Sequence, residues 1–436
     1  MSLRIGIRLE DKNRWERRVP LVPEDLADLV RDHELSFIVQ PSALRTFSDE
    51  EFVAQGAHLS DDLSEAGLIL AVKEVPAELL LPERAYLFFS HVIKGQDYNM
   101  PLLKTMLDKK ITQIEYERIL DAKGRRLVFF GRQAGQAGMI ETFHALGLRL
   151  QAEGRETPLT NILPAYRYED LADAKRQIGE LAGAIADGIG DGHPPMVIGF
   201  AGYGNVSQGA QEIFDLLPHE EIDPRKLEAF MARENVPTDR LYKVVFKEEH
   251  LVEPAEGQAF ELQDYYKNPG RYRGIFDRYL PHLTGLVNCI YWTEDYPRLI
   301  SKADAKLLQE SGHSNLRIVG DISCDIEGSI EFTHKSTEPD KACFVYDAVA
   351  NKWTDGVEGA GIVVMAVDNL PCELPKDASA AFSTALRDYI PILAKTDFTL
   401  PLDQLDLPPE LAGAIITHRG ELAPEYRYLE EFLAKS

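Results

Sequence analysis

One segment, MVIGFAGYGNVSQGAQEIF at 196–214, narrows the choice of fold more than any other. An apolar run, 196–200, leads into Gly202-Tyr203-Gly204-Asn205-Val206-Ser207, and a stretch with helical spacing comes next. A strand turning this tightly into a helix is the first βα unit of a parallel sheet. Gly202 permits the turn. Gly204 removes a side chain where backbone must approach a ligand, and the helix start offers unpaired amides and a positive dipole end to phosphates. Ser207 stands at the third fingerprint position, with Gly209 two residues on, and serine is small enough for close helix–strand contact. Gly202, Tyr203, Gly204, Asn205 and Val206 are therefore the candidate pyrophosphate-binding residues of a dinucleotide fold. The competing reading is a tight turn that binds nothing.

The residue meeting the adenosine ribose belongs at the end of the next strand, expected at 242–246 and succeeded by Lys247-Glu248-Glu249-His250. Lysine there suits a 2′-phosphate and glutamate a free hydroxyl, so NADPH and NADH both stay open, as does the share of Lys247 in binding. The stretch 219–282, rich in charge and tyrosine, reads as an elaborated connection.

The first third repeats the strand–helix alternation. Strands are expected at 3–9, 36–40, 68–72, 86–90 and 111–114, and helices at 23–32, 49–55 and 101–108. Helix 131–150, with Gly131, Gly135 and Gly138 near its start, reads as the crossing between domains, its glycines allowing close packing or a bend. A helix at 171–189, the loop GDGHPP and a strand pattern at 316–323 come after it, and 357–367 is small and apolar. Helix 379–394 opens a tail that either returns to the first domain or continues the second. With 436 residues, two or three cores are expected. The expectation is an α/β protein of two Rossmann-like domains with mostly parallel sheets and an interdomain cleft. A substrate domain covers 1–132 and is completed by 372–436, and a dinucleotide-binding domain covers 133–371.

A net charge of −24 repels phosphate backbones and argues against nucleic acid as a partner. The four cysteines form no CxxC pair, and no histidine cluster has zinc-ligand spacing, so no metal is expected. Reduced thiols, an N-terminus without an apolar signal core and no membrane-length apolar run point to the cytoplasm.

In an open parallel sheet, ligands lie beyond the carboxyl ends of the strands. Reactive side chains gather at such ends: Arg14, Arg17 and Arg18 after the first strand, Lys73 and Glu74 after LILAV, His91 and then Lys94 after YLFFS, and Glu115 and Glu117 after ITQI. In the second domain Asp321 and Asp325 sit in RIVGDISCD. Each alone reads as a solvated charge, and their convergence is what suggests a site. Such a set suits imine formation and reduction: an amine attacks a 2-keto acid, water leaves, and the imine carbon accepts hydride. Histidine titrates near neutrality, a lysine is lowered by burial or neighbouring cations, and arginine takes a carboxylate bidentately. Asp325 is available to ribose, nicotinamide amide or substrate amine, and Asp321 to the cofactor.

EDKNRWERRVPLVPEDL, FFSHVIKGQDYNMPLL, DAKGRRLVFFGRQAGQAGMIETFHALGLRL, GYGNVSQGAQEIFDLLP, GDISCDIEGSIEF and VMAVDNLPCELP occur in that order across nearly the whole chain. Together they resemble the lysine–ketoglutarate reductase domain of α-aminoadipic semialdehyde synthases, in the wider group of saccharopine and alanine dehydrogenases. The resemblance implies two Rossmann-like domains, the first completed by the tail. It implies that Arg18 is the substrate-carboxylate arginine, Lys73 and His91 the acid–base pair, Glu74, Lys94 and Glu117 the charges around them, and Asp325 the aspartate facing the nicotinamide. The substrates implied are L-lysine, 2-oxoglutarate and saccharopine, with NADP slightly favoured although Lys247-Glu248-Glu249 departs from a firmly basic pattern. With Ser436 as the last residue, the chain is expected to make saccharopine and not to cleave it. Other expectations are an alanine dehydrogenase-like or opine-forming enzyme, or a non-catalytic NAD(P)-binding regulator. Joint retention of Arg18, Lys73, His91 and Asp325 argues against the last. A homo-oligomer is compatible with the sequence.

Overall fold

In the computed structural model, which describes residues 4–189, 194–312 and 314–435, the chain divides into two compact units. One is Met1–Phe130 with Pro375–Ser436, the other Gly131–Leu374. Leu3, at the head of the expected first strand, and 190–193 of GDGHPP lie outside the described residues.

The first unit is built on β1 (Arg4–Ile7), β2 (Phe37–Val39), β3 (His58–Leu59), β4 (Ala66–Leu70), β5 (Ala85–Phe88) and β6 (Thr112–Glu115). They pair in parallel in the order β3-β2-β1-β4-β5-β6. The chain moves outward from β1 to β3 and then returns to the other side of β1. Connections diverge where β1 and β4 lie side by side, which opens a crevice at their carboxyl ends. Alternate residues feed the two faces: Leu68 and Leu70 enter one core and Ile69 the other. Helix α1 (Pro23–His33) has Pro23 in its first turn, then Glu24 and Asp25, and Arg31 and His33 in its last turn. Helix α2 (Met100–Asp108) buries Met100, Leu102, Leu103 and Met106.

The second unit begins with α3 (Gly131–Ala152), buried along most of its length. Then come β7 (Val197–Ala201), α4 (Asn205–Phe214), β8 (His219–Glu221) and β9 (Leu241–Phe246). A small antiparallel pair, β10 (Val252–Pro254) and β11 (Tyr272–Gly274), lies in the elaborated connection. β12 (Gly285–Asn288), β13 (Ile318–Asp321), β14 (Cys343–Asp347), β15 (Lys352–Asp355) and β16 (Ile362–Met365) complete the second sheet. Its order is β15-β14-β16-β13-β12-β7-β9-β8, with β14 antiparallel to both of its neighbours, β15 and β16, and the remaining pairs parallel. Its switch point lies between β7 and β12, where the glycine loop begins.

The glycines of 131–138 serve close packing. A Cβ on Gly135 would stand 1.9 Å from the carbonyl oxygen of Val206, and one on Gly209 2.1 Å from that of Arg132. Helices α3 and α4 thus cross backbone to backbone, and Gly209 serves this contact while Ser207 is fully buried. The expected helix 171–189 is two helices, Leu171–Gly179 and Ala182–Ala186.

The tail joins the first unit. Helix α5 (Pro375–Leu386) starts earlier than expected, and a 3-10 turn separates it from Ile390–Lys395. β17 (Ile415–His418) pairs antiparallel with β6, and β18 (Glu421–Leu422) with β17. Ser379 and Ser383 of α5 accept the amides of Val19 and Val22 at 3.0 and 3.1 Å, and Ser383 donates to Asp25 at 2.5 Å.

Inside the second unit, Glu141 on α3 and Glu373 lie beside one another, each with 1% exposure. Burial first, and the repulsion between the two charges second, push the pair above the ordinary carboxyl range. The folded state therefore keeps proton that the unfolded chain releases above its carboxyl pKa. The stabilisation is full below that value and is lost as pH rises through the raised folded values. Glu373→Gln should gain stability relative to wild type as pH goes from about 5 to about 8. Urea midpoints that keep a constant difference over that window would mean that the pair retains no proton above the ordinary carboxyl range.

Candidate active site

The first sheet's carboxyl edge carries a compact charge cluster. Arg18, 2% exposed, donates through Nε and Nη2 to Glu16 at 2.7 and 2.5 Å, and its guanidinium lies 4.3 Å from the centre of the Phe130 ring. Phe130 stacks on Phe382 of α5 at 4.6 Å. The Arg18 segment is thus fixed from below by the tail's aromatic and from the side by its serines.

Lys73 lies three residues beyond β4 and is half-buried. Among the described residues its ammonium has no hydrogen-bond partner. Burial first, and Arg18 second, pull it below the ordinary lysine range against the attraction of Glu16. Its neighbour Glu74 accepts from His91 Nδ1 and Lys12 Nζ, both at 2.7 Å. Burial alone would raise the Glu74 carboxyl, but the two hydrogen bonds outweigh it and hold the group at about 2. Glu74 is therefore a fixed anion that orients the His91 ring. That ring also stacks on Phe89 at 6.0 Å, and its residue sits in the left-handed region at φ 56°.

The backbone beneath the pair rests on two buried carboxylates. Glu10 accepts from the amides of Val72 and Lys73 at 2.6 and 3.0 Å. Burial and the Glu16 charge raise it to about 7 against those bonds. Glu115, fully buried at the end of β6, takes the amides of Ser90 and His91 at 2.9 and 3.1 Å, and burial raises it also. Glu117 is 9% exposed, with one oxygen 3.2 Å from Arg126 and the other buried without a hydrogen-bond partner among the described residues. Lys94 is exposed, one turn beyond His91.

In the second unit Gly202 has φ 96°, and among the described residues nothing lies within 4 Å of a Cβ built on Gly204. The N-terminus of α4 begins there with Asn205 and Val206. Beyond β9, Lys247 Nζ stands 5.9 Å from the Tyr203 ring, and Glu248 accepts from Tyr266 at 2.6 Å and Tyr203 at 3.4 Å. Asp321 is fully buried, receiving Asn288 at 2.9 Å, Ser323 at 2.8 Å, Thr333 at 2.6 Å and the Cys324 amide at 3.3 Å. This network holds the turn that exposes Asp325.

The structure brings Arg18, Lys73, Glu74, His91 and Glu117 to one sheet edge, and the Gly202–Val206 loop, Lys247, Asp321 and Asp325 to strand ends of the other sheet. Arg14 and Arg17 are exposed. Glu10, Lys12 and Glu16 are not among the residues that the sequence pattern singles out, although all three lie in EDKNRWERR. Nothing in the sequence sets them apart from solvated charges.

Two mostly parallel α/β units, one with a cluster of buried and half-buried charges at its sheet edge and one with a glycine turn opening a helix, define a two-domain protein of the Rossmann type. The alanine dehydrogenase/PNT N-terminal profile matches residues 6–137 and the alanine dehydrogenase/PNT C-terminal profile residues 293–425. The chain is 39% identical over 98% of its length to the alpha-aminoadipic semialdehyde synthase of Arabidopsis thaliana and covers 41% of it. It is 37% identical, again over 98%, to the mitochondrial one of Bos taurus and covers 47% of that. To the saccharopine dehydrogenase (NAD(+), L-lysine-forming) of Yarrowia lipolytica it is 27% identical over 88% of its length and 90% of the other's. An L-alanine dehydrogenase shares the fold at a TM-score of 0.65 and 17% identity, over 99% of this chain and 100% of that one. The chain belongs to the alanine dehydrogenase/PNT family, as a homologue of the alpha-aminoadipic semialdehyde synthases. It spans less than half the length of those synthases. Among the described residues no helix is long and apolar enough to cross a membrane.

Removing one member of a buried ion pair strands the other. Glu16→Ala should therefore lower the unfolding free energy by about 3 kcal/mol, read from urea denaturation, and Glu16→Gln by less. A loss within about 0.5 kcal/mol for the alanine variant would mean that Arg18 does not depend on this carboxylate.

Proposed function

We propose that the chain is a lysine–ketoglutarate reductase. L-lysine, 2-oxoglutarate, NAD(P)H and a proton give saccharopine, NAD(P)+ and water: the lysine amine attacks the keto carbon, water leaves, and the imine is reduced. The observation that carries this reading is the meeting of buried Arg18, a depressed Lys73 and a Glu74-bound His91 at one sheet edge. Homology to the semialdehyde synthases supports it and selects the substrates.

Arg18, oriented by Glu16, receives a substrate carboxylate. Lys73, easily neutral, takes a proton from the incoming amine, and His91 protonates the departing oxygen. Glu74 keeps the His91 ring aimed, while Lys94 and Glu117 meet the substrates' outer ionised groups. In the second unit Gly202, Tyr203, Gly204, Asn205 and Val206 fit a pyrophosphate, because Gly202 makes the turn and the space beside Gly204 is open. The bound dinucleotide supplies the hydride. Asp325 faces the nicotinamide end, and Asp321 keeps that turn in shape. Glu248 is engaged by two tyrosine hydroxyls, which leaves Lys247 to meet a 2′-phosphate and favours NADPH. Four free thiols suit a reducing compartment such as the cytoplasm.

The test is optical NAD(P)H oxidation, omitting each substrate in turn. Oxidation that needs both lysine and 2-oxoglutarate, runs better with NADPH and yields saccharopine is expected. Oxidation only with another amine or keto acid would replace the substrates, and silence with every pair would overturn the reading. His91→Asn should lower kcat at least about 100-fold with cofactor binding intact, and an undiminished kcat would remove His91 from the chemistry.

A further inference from the structure

The hydrogen bonds under the acid–base pair come from two carboxylates that take no part in the proton transfers themselves. Glu10 lies just beyond β1 and reaches the turn after β4, its neighbour in the sheet. Glu115 ends β6 and reaches the turn after β5, likewise its neighbour. The two arrangements are alike: a buried carboxylate on one strand's end accepts two consecutive amides of the adjacent turn, the second of them belonging to Lys73 or His91. Glu115 adds the Ser90 hydroxyl at 2.6 Å and, through its other oxygen, the Glu117 amide at 3.3 Å. Glu10 is 8% exposed and Glu115 fully buried, so water does not readily replace either carboxylate.

We propose that Glu10 and Glu115 are a matched pair of positioning residues, each clamping through its carboxylate the turn that presents one member of the Lys73–His91 pair, an assignment that rests on the reading of those two as the acid and base. Lys73 most needs such a clamp, because among the described residues its ammonium has no hydrogen-bond partner and only the backbone aims it. His91 needs it for another reason. A side chain at φ 56° persists only where its surroundings hold the backbone, and the bonded Ser90 and His91 amides do so. A carboxylate suits the task because it accepts several N–H groups at once. Its acceptor capacity depends on protonation. Glu10 is faced by Arg8 and Glu16 from its own segment, by the Val72 and Lys73 amides after β4 and by Tyr116 after β6. At about 7 it sheds its proton within the working range of an acid–base site, so the Lys73 turn should tighten as pH rises.

Glu10→Gln and Glu115→Gln test this, since each keeps one acceptor and turns an amide NH2 toward the other backbone N–H. Each variant should lose kcat about tenfold or more, with KM for both substrates within about threefold and cofactor affinity unchanged. Glu10→Gln should also flatten the acid limb of the kcat–pH profile. Hydrogen exchange should quicken at the Val72 and Lys73 amides in the first variant and at Ser90 and His91 in the second. Wild-type kcat and pH profile in both variants would overturn the proposal, as would unchanged exchange at those four amides. If Glu115→Gln does not fold, Ser90→Ala removes a single bond from the same carboxylate. Faster His91 exchange with a lower kcat supports the clamp there, and no change in either overturns it. A wild-type chain that turns over no amine–keto acid pair refutes the functional reading alone, and the exchange data then decide the clamp.

Discussion

Six strands of the first unit pair in parallel, and parallel pairing requires every connection to return across a face of the sheet. Every strand therefore delivers its carboxyl end to the same edge. Residues separated by long stretches of sequence, the segment after β1 and the turns after β4, β5 and β6, become neighbours without any contact designed between them. The reversal of strand order between β1 and β4 keeps the connections from covering that edge. The second unit obeys the same rule, and its glycine turn leaves β7 at the equivalent reversal, beside β12. Chemistry that needs a cation, a base and an acid within reach of one another has no easier place to assemble.

Within the edge, identical side chains are driven apart by their surroundings. Glu74 and Glu10 are both carboxyls withdrawn from water and both accept two hydrogen bonds. Glu74 receives its bonds from a lysine and a histidine and settles at about 2. Glu10 receives two neutral amides, faces the charge of Glu16, and rises to about 7. Charge-assisted bonds overcome desolvation in the first case, and neutral bonds fail to in the second. One is a permanent anion suited to orienting a histidine. The other is poised between two states and can report the acidity of the site.

Much of this is legible in the sequence because strand ends dictate it. LILAV and YLFFS are short apolar runs, so Lys73 and His91, directly after them, have to lie at an edge. The glycine turn is equally readable, since its spacing has one geometric use. Glu10 and Glu16 are not, because a glutamate in EDKNRWERR looks like any solvated charge until burial is known. Strand β12, four residues of GLVN, carries too short a pattern to be told from a loop. The antiparallel β14–β15 pair stays hidden because an edge hairpin with the exposed face of KWTD lacks an apolar period. The 171–189 segment reads as one unbroken helix because its apolar spacing continues through Gly179 and Glu180, where the backbone does not.

The first unit is discontinuous in sequence, and this has a consequence for the site. The amides of Val19 and Val22, just after Arg18, are satisfied by serines 360 and 361 residues away. Phe382 stacks on the ring beneath the Arg18 guanidinium. The Arg18 segment therefore cannot take its final form while only residues 1–130 are present. It waits for α5, which comes after the whole second unit. Closing so long a loop costs only slowly increasing entropy, but it delays the contact. The ion pair with Glu16, local in sequence, needs no such delay. Two residues of separation make the Glu16–Arg18 pair available early, and the distant serines and aromatic then fix where the pair sits. A guanidinium that is first neutralised locally and later located by the tail avoids burial as an unpaired charge at any stage.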